Sequence, residues 1–292
     1  MSSAIFDRRV RRRHAERAAP TLAKHDFLRN ALADDLAERL TGIARKFERV
    51  LDLGGTMGDR IAAPLLVRCG LVAAAGLSVV GDEDRLPFAD ASFDLIASAG
   101  VLQGVGDLPG ALLLARRALV PDGLFIASFF GGATLGELRA DLLAAESDLT
   151  GRAAARIAPM VDPREAAALL QRAGFSLPVA DVDSLVVKYD SLFALIKDVH
   201  GTGDGNALSD RVPLRRDVLA DAARRFGERA DAAGRVAVTV QVITLAGWAP
   251  MAPLLTAPPP GTGGAGVGLP QGRQLELMPS PTPDPSRSGR GQ

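Results

Sequence analysis

The sequence predicts an α/β protein: a mostly parallel sheet with helices on both faces and an antiparallel strand at one edge. Three observations predict it. The stretch "VLDLGGTMGDRIA" (residues 50–62) runs from an apolar strand through a glycine cluster into a helix-like segment. Apolar runs and helical segments then alternate up to Phe130, the rhythm of βαβ units. Near the end, "RVAVTVQVITLAGW" alternates over a length that suits the last strand of an antiparallel hairpin.

Taken in order, residues 1–30 read as a basic arm whose arginines line a solvated helix. Leu32, Leu36, Leu40 and Ile43 recur at helical spacing, so Ala31 to Phe47 is expected as an amphipathic helix. "RVLDL" is a buried strand and Met57 to Cys69 a helix; "LVAAAG" and "LSVVGD" are short strands, and "SFDLIAS" is another. Leu108 to Leu119 is a helix with Asp107 as N-cap and Pro109 in its first turn. "PDG" at Pro121–Gly123 turns the chain into the strand "LFIASFF".

Helices follow over Thr134–Leu149 and Pro163–Ala173, the second closed by Gly174. A strand over Val179–Lys188 leads to helices near Ser191–Val199 and Pro213–Phe226, separated by the loop "HGTGDGNAL". The domain is expected over 31–250. The Pro- and Gly-rich tail, 251–292, has too few apolar groups to offset its ordering entropy. There is no internal repeat.

Composition excludes several classes. The chain has 292 residues, with 34 basic and 34 acidic, and so no net charge to draw it to nucleic acid. A single cysteine, Cys69, cannot form an intrachain disulfide, and no cysteine cluster offers a zinc site. His14, His25 and His200 lack metal-ligand spacing; they would meet only if the arm folded over the His200 loop. Charges fill the N-terminus where a signal peptide needs apolar residues. The segment 61–80 is not a membrane span, because Arg68, Pro64, Gly70 and Gly76 interrupt it. A bacterial cytoplasmic protein is the expectation, or a matrix protein if the source is eukaryotic.

The glycine cluster lacks the Lys-Ser/Thr of a P-loop and does not spell G-x-G-x-x-G. Its spacing (Asp52, Gly54, Thr56, Gly58) resembles instead the first motif of class I S-adenosylmethionine-dependent methyltransferases, with Thr56 in place of a glycine. "VVGDEDRLPFADASFDLIAS" and "ARRALVPDGLFIAS" are similar to that superfamily's continuation. The resemblance implies a Rossmann-like seven-stranded sheet and S-adenosylmethionine as cofactor. It places the cofactor against Asp52, Gly54, Gly55, Thr56, Gly58, Asp82, Glu83, Leu86 and Ser98. Asp52 either meets the cofactor's amino-acid end or caps the helix after the loop. Two departures stand out. "LVAAAG" ends without the acid that binds the ribose hydroxyls in that superfamily. Thr56 is strained if its position needs a left-handed backbone.

Over about Ile5 to Pro250, "FDRRVRRRHAERA", "FFGGATLGELRADLLAAE", "VKYDSLFALIKDVHGTGDGNAL" and "ITLAGWAP" resemble, in order, the family of complex I assembly factor 5. That likeness implies a respiratory complex I subunit as partner and hydroxylation of one of its arginines. A methyltransferase and a non-catalytic assembly chaperone are the other readings. Gly131, Gly132, Glu137 and Arg139, in "FGGATLGELR", are the candidate substrate or partner site at the sheet's carboxyl edge. No catalytic residue stands out.

Overall fold

A computed structural model describes residues 5–251 of the chain. The tail expected over 251–292 therefore lies, Met251 apart, outside the described residues.

The sheet grows from its most apolar segments. β1 (Arg49–Leu53), β4 (Phe93–Ala99) and β5 (Leu119–Gly131) lie side by side and parallel. All seven residues of β4 are buried, as a strand covered on both faces requires. β2 (Leu65–Gly70) and β3 (Val79–Val80) extend the parallel sheet beyond β1. On the other side, β7 (Val236–Trp248) runs antiparallel between β5 and the edge strand β6 (Ser176–Tyr189). The full order is β3-β2-β1-β4-β5-β7-β6. The reversed strand is therefore second from the edge.

Side chains alternate across the strands, so each face builds its own core. α3 (Leu108–Ala118) and α5 (Pro163–Arg172) cover one face, with Leu112 and Leu170 packed against Leu51, Ile96 and Phe125. α2 (Phe27–Thr41) covers the other, with Leu32 and Leu36 against Val50, Leu95 and Ile126. α4 (Gly136–Thr150), α6 (Leu192–Gly201) and α7 (Arg216–Gly227) close a third cluster over the far end of β7. The expected caps hold: Asp107 accepts from the Gly110 amide at 2.9 Å, and Gly174 takes φ +83° after α5.

Four expectations need correction. α2 starts at Phe27 and ends at Thr41, before Gly42; Ile43 and Phe47 pack against its cluster from outside the helix. Met57 to Cys69 is not a helix. One 3-10 turn (Gly58–Arg60) precedes Pro64, which cannot continue a helix. Leu65–Gly70 is then drawn into the sheet, with Leu51 opposite Val67 and Leu53 opposite Cys69. "LVAAAG" is not a strand but part of the connection 71–78, with Ala73, Ala74 and Ala75 exposed. Neither link, β1 to β2 or β2 to β3, carries the crossover helix that parallel strands usually need.

The basic segment is the fourth. It forms α1 (Arg8–Ala18), N-capped by Asp7, followed by a 3-10 turn (Ala19–Lys24). Its arginines are not simply solvated, because Arg8 and Arg11 are drawn down onto acids after β3.

Candidate functional site

The loop after β1 turns on three glycines in left-handed conformations, Gly54, Gly55 and Gly58 (φ +108°, +71° and +57°). Thr56 is not among the left-handed residues. The strain expected for it does not arise, and its hydroxyl donates to the Ala99 carbonyl at 2.8 Å, tying the loop to the end of β4. Asp52 is fully buried and accepts from the Met57 and Gly58 amides at 3.2 and 3.3 Å. Burial raises its carboxyl pKa, and those amides pull the other way. These amide contacts are the capping role, one of the two open to Asp52. Ser98 is buried and donates to the Leu53 carbonyl at 2.8 Å, while Leu86 packs against the core beneath.

The crevice above those glycines is filled by the chain itself. A Cβ built on Gly55 would clash with Leu77 Cδ2, and one on Gly70 would stand 2.6 Å from Leu77 Cδ1. A Cβ on Gly54 would stand 2.7 Å from Val101 Cγ1. Glu83 is buried and held by Arg11, whose Nη1 and Nη2 donate to its two oxygens at 2.9 and 3.0 Å. Asp82 accepts from Arg8 Nε at 3.0 Å.

A second concavity lies at the carboxyl ends of β4 and β5, a cavity of about 520 Å³ beneath α1 and α6. Its walls are mostly apolar, from Phe27, Phe130, Leu138, Leu142 and Leu195, with a few polar groups converging on them. His25 Nδ1 lies 2.7 Å from Asp198 Oδ1. That contact has Nδ1 donating its proton to the carboxylate, which fixes the orientation of the ring. The Tyr189 hydroxyl also bonds Asp198, and burial with this carboxylate pushes the phenol up to about 12. Nearby, Asp204 accepts from Arg29 Nη2 at 2.8 Å and from Gln103 Nε2 at 3.2 Å. Arg29 Nε and Gln103 Oε1 are buried there without a protein partner.

None of the candidate residues around the glycine loop lines this cavity. The segment "FGGATLGELR" reaches it through other residues than those singled out: Thr134, Leu135 and Leu138 line the wall. Gly131 packs against Ile243, and Gly132 takes φ +51° beside Gln241. Glu137 is bonded to the Thr239 hydroxyl, and Arg139 Nη2 donates to the Ala158 carbonyl at 3.0 Å. Helical phase turns 137 and 139 away from the wall that 138 and 142 face.

The arm does fold over the His200 loop. His14 and His200 both lie against Gly205, while His25 packs on Gly201. Even so, among the described residues no three His, Cys, Asp or Glu side chains are grouped to hold a metal ion. His25, Asp198, Tyr189, Arg29 and Asp204 were not predicted as site residues. The nearest signal is the glycine-rich "HGTGDGNAL" loop, which supplies Asp204 to the wall.

The seven-stranded sheet with one reversed strand, and a glycine turn after β1, define a class I methyltransferase fold. Residues 64–127 match the methyltransferase domain family. A candidate methyltransferase from Bacillus halodurans C-125 shares the fold, with a TM-score of 0.51 at 14% identity over 75% of this chain and 100% of that one. Sequence is more specific. The mitochondrial arginine-hydroxylase NDUFAF5 of Homo sapiens is 35% identical over 264 residues, covering 84% of this chain and 76% of the relative. The chain belongs to that family. It is also 31% identical over 277 residues to a malonyl-[acyl-carrier protein] O-methyltransferase of Methylovorus sp. (strain MP688), covering 85% of this chain and 91% of the relative.

The fold implies S-adenosylmethionine, and the residues here do not fit it. β2 ends in Cys69 and Gly70, so no carboxylate faces a ribose. Leu77 and Val101 take the space over the glycines, and the acids after β3 are neutralised by α1.

Proposed function

We propose that this chain acts in the assembly of respiratory complex I, on an arginine-bearing segment of a complex subunit that enters the cavity beneath α1 and α6. The family relationship supports an arginine as the target, because the relatives are named as arginine hydroxylases, and the resemblance to complex I assembly factor 5 supports the process. The observation that carries the reading is the polar corner of the cavity. Asp204 there already holds one guanidinium, that of Arg29, and also accepts from Gln103 Nε2, whose Oε1 is left buried with no partner. Carboxylates and amide oxygens are the acceptors a planar five-donor guanidinium needs. Asp198 adds a second carboxylate and orients His25.

The proposal puts the protein in the bacterial cytoplasm, or in the mitochondrial matrix if the source is eukaryotic. No described helix is long and apolar enough to cross a membrane. Methyl transfer is the second reading, favoured by the methyltransferase domain match. The filled crevice over the glycine loop weighs against it.

Deleting the gene and following complex I on native gels tests the process. Normal assembly would sink the proposal. Peptide mass spectrometry of the subunits then separates the chemistries. One added oxygen on an arginine, lost in the deletion strain, supports hydroxylation; an added methyl group supports transfer; neither leaves a chaperone. Asp198→Asn and Asp204→Asn are expected to fail in complementation where Arg12→Ala succeeds.

A further inference from the structure

We infer that Leu77 closes the cofactor crevice of this chain, so that the glycine loop serves as a structural turn and takes up no S-adenosylmethionine. In an open α/β sheet the ligand crevice lies outside the carboxyl ends of the strands where their order reverses, here β1 and β4, and the end of β2 borders it on the ribose side. Leu77 lies across that crevice. Its Cδ2 sits on Gly55, at the exit of β1, and its Cδ1 sits on Gly70, at the end of β2. One side chain therefore covers both walls between which a ribose would be held.

The short connection explains why Leu77 is there. With no helix between β2 and β3, residues 71–78 must return directly across the strand ends. The segment is pinned on both sides of Leu77: its own amide donates to the Ala74 carbonyl at 3.3 Å, and the Ser78 amide donates to the Arg68 carbonyl at 2.8 Å. The Arg68 amide also donates to the Ser78 hydroxyl at 3.2 Å. Val101 fills the space over Gly54 from the β4 side. Gly54, Gly55 and Gly58 remain because the left-handed turn and the close packing need them, with or without a ligand.

Isothermal titration calorimetry of the full chain with S-adenosylmethionine, and separately with S-adenosylhomocysteine, tests this. The comparison uses the unmodified protein, Leu77→Ala, and Leu77→Ala combined with Gly70→Asp. The double variant opens the crevice and sets a carboxylate on its wall. Gly70 is not left-handed, so the substitution meets no backbone penalty once Leu77 is trimmed. The unmodified chain is expected to give no saturable heat with millimolar ligand. Leu77→Ala is expected to bind, and the double variant to bind at least about tenfold tighter, the worth of one charge-assisted hydrogen bond.

Micromolar binding by the unmodified chain overturns the inference. If the unmodified chain is silent and Leu77→Ala, folded by circular dichroism, stays equally silent, the assignment to Leu77 is overturned. None of these outcomes depends on the complex I assay, so this inference and the proposed function fail separately.

Discussion

Arg11 clasps Glu83 with both terminal nitrogens, at 2.9 and 3.0 Å, across 72 residues of sequence. The carboxylate side chain is 4% exposed and the guanidinium side chain 15%. This pair fastens α1 to the turn after β3. It also brings the helix over the cavity, because Arg11 lines that wall too.

Removing one partner of such a pair leaves a buried charge uncompensated. Arg11→Ala is expected to cost about 3 kcal/mol or more. Arg12→Ala breaks only the exposed i,i+4 contact with Glu16 and should cost under about 1 kcal/mol. Urea unfolding of the two variants checks the order. Equal midpoints would refute the buried clasp.

Cys69, fully buried between Asp52 and Glu83, has its thiol pushed up from about 9 to about 11, by burial first and then by those carboxylates. A folded-state pKa above the unfolded one adds stability below pH 9 and loses it as pH rises towards 11. Cys69→Ala should flatten that alkaline decline in chemical denaturation. Thiol labelling of the native chain at mildly alkaline pH should be negligible, with one thiol released on denaturation. Rapid native labelling would contradict the buried placement.

Tyr189 is the chain's only tyrosine, so its phenolate absorbance reports one site. Burial raises its pKa to about 12, with the Asp198 carboxylate adding to the rise. Asp198→Asn removes the negative charge and should move the spectrophotometric midpoint down, while burial keeps it above 10. An unchanged midpoint would show that Tyr189 and Asp198 are not coupled in solution.

Phe125, 1% exposed, packs between the strands and Phe175, their ring centroids 5.4 Å apart. Phe125→Ala should cost about 3–5 kcal/mol, whereas Leu113→Ala on the 44% exposed side of α3 should cost well under about 1 kcal/mol. Thermal unfolding distinguishes them directly.

The elements with strong local signals were legible in the sequence. Apolar runs with turn residues at both ends marked β1, β4 and β5; Asp107 with Pro109 marked the start of α3, and Gly174 the end of α5. Residues 57–69 were misread because their alanines and leucines satisfy a helical pattern, and only pairing with β1 turns Leu65–Gly70 into a strand. A second error hid Leu77. Assigned to the start of the short strand "LSVVGD", it carried no hint that the connection would fold it back over Gly55.

The cavity was legible in part. Its glycine-rich segments were visible, but its polar corner joins His25, Gln103 and the pair Asp198 and Asp204 from three distant stretches, and no spacing rule links them.

By itself, the sequence determined the mostly parallel sheet with an antiparallel strand, the helices α3 and α5, and the resemblance to the family. The sheet and helices follow from periodicity and turn chemistry, which are local, and the family from motifs it shares with the chain. Only the tertiary structure decided that Arg8 and Arg11 are spent on Asp82 and Glu83, that Thr56 is relaxed, and that Leu77 lies across the glycine loop. Each depends on which surface a side chain meets once the sheet closes, a contact between residues distant in sequence and not a property of any segment.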